Sequence, residues 1–168
     1  MLEALSDALN VSSEAMEKEK DPLVSVTLLG AMELYAASSS RKVADMLYEA
    51  HKSWGAVTEL VDTSIAWAGK YLDRFGIGAM DETYLRMNLL SGVGAMGNMV
   101  GYYSHGGRAD YRIFLRNLIS LTASALHMPV FDLEGTVKKL TDLMDNGGIV
   151  ICGRQMRDVR NCAAPEPE

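Results

Sequence analysis

Ten apolar residues, Val43, Leu47, Ala50, Trp54, Val57, Val61, Ile65, Ala68, Leu72 and Phe75, follow one another at intervals of 4, 3, 4, 3, 4, 4, 3, 4 and 3. A strand repeats its faces every two residues, so it cannot gather this set on one side. A helix can, because positions three and four apart lie on one face. The seam runs for more than four heptads and predicts a single helix over 41–75, bent near Gly55 and stopped by Gly76. At 1.5 Å per residue such a helix is roughly 50 Å long. It needs an equally long partner, either from the same chain or from a second one.

The remaining segments also read as helices. Leu2, Leu5, Leu9, Ala15 and Met16 make a loose apolar face that ends in the charge run Glu17-Lys18-Glu19-Lys20-Asp21. Asp21-Pro22 is a helix start, since aspartate caps the first amides and proline has none to offer there. That helix is expected to reach about Ala37, with Ser38-Ser39-Ser40 closing it and capping the next. Asp81 caps a helix carrying Leu85, Leu89, Val93, Met96, Val100 and Tyr103, which Gly106-Gly107 breaks. The next starts near Ala109, buries Tyr111, Phe114, Leu115, Leu118, Leu121 and Ala125, and ends at Pro129. A shorter helix runs from Leu133 or Thr136 to about Met144, and Ile149-Val150-Ile151-Cys152 is strand-like.

The expectation is an all-α domain over residues 1–162, with five to six helices around the long one. It adds a short strand at 149–152 and a disordered tail at 163–168. The length of 168 residues, with 48% apolar and 23% charged, is enough for one domain with its own core.

A net charge of −6 argues against indiscriminate nucleic-acid binding. The charge is uneven: Asp and Glu crowd residues 1–35, while Arg154, Arg157 and Arg160 mark the other end. That polarity suits head-to-tail association or one basic face for an anion. Cys152 and Cys162 are too few for a disulfide framework or a metal site. No secretory signal is read at the start. The longest uncharged run, 87–107, is rich in Gly, Ser and Asn and makes a poor membrane span. A cytoplasmic location without membrane contact is therefore expected.

Gly92-Val93-Gly94-Ala95-Met96-Gly97 spells G-x-G-x-x-G. A dinucleotide cradle needs a buried strand before that motif and an acid about 20 residues beyond it. Here a capped helix precedes the glycines, and the first acid downstream is Asp110. Continued as helix, Ser91, Gly94, Asn98, Gly101 and His105 form a stripe of small and polar groups. Each interior glycine costs about 0.5–1 kcal/mol against alanine. Close approach of another helix offsets that cost, and a large ring such as Trp54 or Trp67 fits the same notch. Gly94, Asn98 and Gly101 are thus interface candidates, first for packing within the chain, then for self-association, and third for a ligand groove.

No catalytic set stands out. His51, His105 and His127 fall in no H-x-x-x-H or E-x-x-H pattern, so helical metal sites lack their ligands, and no metal or cofactor is expected. Arg108, Arg112 and Arg116 are four apart and form a candidate anion-binding stripe, with Tyr102 and His105 nearby. Cys152, followed by Gly153 and Arg154, is the one thiol placed to be activated by a neighbouring cation.

The function these features suggest first is a non-enzymatic interaction or assembly subunit, self-associating or bound to a protein partner. Two alternatives stand beside it. One is a helical subunit that contacts nucleic acid, within a complex, through the arginine stripe. The other is a thiol-dependent sulfur or redox protein using Cys152.

Overall fold

A computed structural model of the chain describes residues 21–71, 80–146, 150–151 and 154–155. The described residues form six helices and one small hairpin, in the order α1 (Pro22–Ser39), α2 (Arg41–Lys52), α3 (Trp54–Tyr71), α4 (Glu82–Ser104), α5 (Tyr111–Ala125), α6 (Leu133–Asn146), β1 (Val150–Ile151) and β2 (Arg154–Gln155). The all-α class expected from the sequence is borne out. The strand expected at 149–152 is one arm of a two-stranded antiparallel hairpin, in which Val150 faces Gln155 and Ile151 faces Arg154. The first expected helix, the C-terminal tail and Cys152 lie outside the described residues, as does the end of the seam at Leu72 and Phe75.

The centre of the bundle is α1, not the long seam. Its sequence PLVSVTLLGAMELYAASS carries Glu33 as its one charge and is apolar around its whole circumference. A helix of that kind has no face to offer water and must be surrounded. Leu23, Val24, Leu28, Ala31, Met32, Leu34, Tyr35 and Ala37 are all buried, and α2, α4, α5 and α6 pack around them. Asp21 starts the helix as expected, its Oδ1 accepting from the amides of Leu23 at 3.0 Å and Val24 at 3.4 Å.

The seam is carried by two helices. Ser53 adopts an extended conformation (φ −82°, ψ 111°) and separates α2 from α3. Its carbonyl then accepts from Val57 N at 2.9 Å and its Oγ from Ala56 N at 3.4 Å, restarting the helix. The bend expected near Gly55 is therefore a complete break two residues earlier. Of the seam's members Val61 and Ala68 on α3 are buried, while Val43, Leu47 and Ala50 on α2 are half-buried; the buried residue of α2 is Ala44, one position off the seam. Trp54, at the break, is turned out and 70% exposed. Both halves pack against α4, the longest described helix at 23 residues. The long partner that the seam requires is thus found in the same chain.

Local signals place the other helix ends. Asp81 Oδ1 accepts from Tyr84 N at 3.0 Å and opens α4; Asp110 opens α5, just beyond the expected start. At the end of α5, Met128 N donates to Ala123 O at 2.8 Å and His127 N to Ser124 O at 3.3 Å, with His127 at φ 52°. This is a Schellman stop with histidine where glycine is usual. The buried arc of α5 is Tyr111, Leu115, Leu118, Ile119 and Ala123. Leu121, expected in that arc, is 44% exposed and faces the cleft described next.

Candidate functional site

The α4 glycines divide into two groups. A Cβ on Gly101 would lie 2.7 Å from Tyr48 Cε2, and one on Gly97 would lie 3.0 Å from His51 Cβ. These two glycines let α2 lie close against α4. Gly101, an interface candidate, therefore serves packing within the chain, and the rings that fill the notch are Tyr48 and His51. Trp54 does not enter it, and the Trp67 side chain lies outside the described residues. Cβ atoms on Gly92 and Gly94 would meet nothing within 4 Å.

Gly92 borders a cleft of about 390 Å³ between α1, α3, α4 and α5. Val26, Leu29, Leu60, Leu89, Val93 and Leu121 supply much of its apolar wall. Gly30 on α1 brings α5 close here, since a Cβ at that position would lie 2.6 Å from Leu118 Cδ2. Asn88, also in the wall, donates from Nδ2 to Ala125 O at 2.9 Å and ties α4 to the end of α5. Tyr84, near the same end, stacks on His127 with ring centroids 5.5 Å apart, and its hydroxyl is 2.9 Å from His127 Nε2.

The charged groups among the described lining residues are Glu33 and His51. His51 Nε2 lies 2.9 Å from Glu33 Oε2, with the two side chains 8% and 15% exposed. A carboxylate only accepts, so Nε2 carries the hydrogen and donates it. Neither Glu33 Oε1 nor His51 Nδ1 has a further hydrogen-bond partner among the described residues. Among the described residues no hydroxyl or thiol is hydrogen-bonded to His51.

Sequence reasoning missed this pair. Glu33 carried a signal, as the lone charge of an otherwise uncharged helix. His51 carried none, because its partner is 18 positions away on a different helix.

Arg108, Arg112, Arg116, Tyr102, His105, Gly94, Asn98 and Gly101 are not among the residues that line the cleft, whereas Ser91 and Gly92 of the small-residue run are. Arg116 Nε and Nη2 each donate at 2.7 Å to the two carboxylate oxygens of Glu134, fastening α5 to α6. This hydrogen bonding to the guanidinium holds the Glu134 carboxyl below its ordinary range. Arg112 Nη1 pairs with Asp110 Oδ2 at 3.3 Å, and its guanidinium lies 5.8 Å from the Tyr111 ring centroid. Arg108 is exposed.

The stripe is therefore largely engaged within the fold. His105 caps α4, its Nδ1 2.7 Å from Gly101 O. Tyr102 packs edge-on against Phe114 at 5.4 Å. Gly94 and Asn98 border a second hollow with Trp54, Val57, Leu90 and Val93. Among the described residues no group of three His, Cys, Asp or Glu could hold a metal ion.

Comparison with known proteins returned no match to any family model, curated protein or solved structure.

Proposed function

We propose that this protein is a non-catalytic binding module whose working part is the cleft between α1, α3, α4 and α5, and that it takes up a small apolar molecule there. The observation that carries this reading is the cleft itself. It has about 390 Å³ of space, mostly apolar walls and one nearly buried polar pair. Ligand sites commonly have this character, with apolar lining for affinity and a few fixed polar groups for orientation. The Glu33–His51 pair lacks an adjacent nucleophile among the described residues, which favours binding over hydrolytic chemistry.

Gly92 supplies the test. Its position borders the cleft, and a side chain there starts into open space. Saturation-transfer NMR with 1-hexanol should show binding to the native chain and none to Gly92→Trp, while the melting temperature of the variant stays within a few degrees. Equal signals for the two proteins would refute the reading.

Self-association, expected from the sequence, has an observation of its own. Trp54 is 70% exposed beside the open notch at Gly94, with Val57, Leu90 and Val93 in the same hollow. A knob and a notch on one patch suit a two-fold contact between two copies of this chain, because that symmetry presents the same patch twice. Sedimentation should then show a dimer that Trp54→Ser dissociates; a monomer at millimolar concentration would remove this second reading.

A further inference from the structure

The polar end of the cleft limits the chemistry of what can enter. Glu33 Oε2 is satisfied by His51, and Oε1 has no partner among the described residues. The Glu33 side chain is 15% exposed, so an occupant that brings a donor to Oε1 adds a hydrogen bond to its apolar contact. No lysine or arginine is among the described lining residues, so a carboxylate or phosphate head would face Glu33 without an offsetting lysine or arginine among them. An ammonium has three donors and a positive charge, and hydrogen bonds between ionised partners are the stronger kind. The net charge of −6 also favours the approach of a cation.

We propose that the cleft binds a primary amine on a short alkyl or aryl body, with the ammonium donating to Glu33 and the body lying against Leu29, Leu89, Val93 and Leu121. His51 is a positioning residue in this arrangement. It occupies one carboxylate oxygen and leaves the other turned to the ligand. Gly97 allows His51 to lie that close to α4, since a Cβ there would be 3.0 Å from the His51 Cβ and 3.3 Å from its Cγ.

This inference rests on the binding reading above, and the experiment separates the two. Hexylamine, 1-hexanol and hexanoate share one chain length and differ only in the head. Calorimetric titration of the full chain at about pH 8, above the range in which a free imidazole is protonated, compares them directly. The amine should bind tighter than the alcohol by about tenfold or more, and hexanoate should bind weakest. In Glu33→Gln the amine should lose its advantage and bind no tighter than the alcohol does to the same variant. Equal binding of all three would overturn the amine assignment and leave the cleft reading standing. Binding of none would overturn both. If Glu33→Gln does not fold, the order of the three ligands on the native chain still decides.

Discussion

Gly101→Ala and Gly94→Ala make the same chemical change in the same helix and should move stability in opposite directions. Both positions are interior to α4, so alanine gains about 0.5–1 kcal/mol of helix propensity at each. At Gly94 nothing lies within 4 Å of the new methyl, and the whole gain should appear. At Gly101 the methyl would lie 2.7 Å from Tyr48 Cε2 and 3.0 Å from Cδ2, well inside contact distance. Tyr48 must shift to admit it. Its ring is edge-on to His105 at 5.2 Å, and Lys52 Nζ lies over it at 5.3 Å.

Overpacking of this kind costs about 1–3 kcal/mol. Set against the helix gain, Gly101→Ala should lose up to about 2.5 kcal/mol. Urea denaturation followed by circular dichroism measures both variants. The midpoint should rise for Gly94→Ala and fall for Gly101→Ala, with unchanged slope. Repeating Gly101→Ala in a Tyr48→Ala background should turn the loss into a gain, because the obstacle is gone. If Gly101→Ala stabilises the native chain as much as Gly94→Ala does, the close packing of α2 on α4 through the glycines is refuted.

The remaining predictions concern charge and the end of α5. His51→Leu should destabilise by about 1–3 kcal/mol, since it leaves Glu33 without its donor, and adding Glu33→Gln should recover part of that loss in chemical denaturation. In a Tyr84→Ala background, which already removes the stacked ring, His127→Gly should raise stability by up to about 1 kcal/mol, because φ 52° is a left-handed conformation that costs a side-chain-bearing residue; a loss in the same melt would refute this. Arg116 holds the Glu134 carboxyl below its ordinary range, so Glu134 binds protons less readily folded than unfolded. Its contribution is present at neutral pH and is lost as the pH falls through the carboxylate range. The acid side of the stability profile should therefore be flatter in Arg116→Gln than in the native chain.

Much of the fold is legible in the sequence because helix ends and faces are local. Asp21-Pro22, Asp81 and Asp110 cap the amides of the residues just after them, and the seam from Val43 to Ala68 keeps its helical spacing within each of α2 and α3. Even the central place of α1 was written there, in a run whose only charge is Glu33. The regularity of the seam draws attention away from it, although uniform apolarity is the stronger sign of a surrounded helix. The break at Ser53 was not legible, since the spacing of apolar residues runs across it without a change of phase.

The candidate site belongs almost wholly to tertiary structure. Glu33 and His51 meet because α1 and α2 fold back on each other and Gly97 lets the imidazole lie against α4. The arginines, evenly spaced in sequence, are divided by partners that only packing brings near, above all Glu134 on α6. Periodicity follows from backbone geometry, which each short segment carries alone. Which side chain meets which, and where a space is left between them, depends on how the six described helices pack at once. No single segment holds that information.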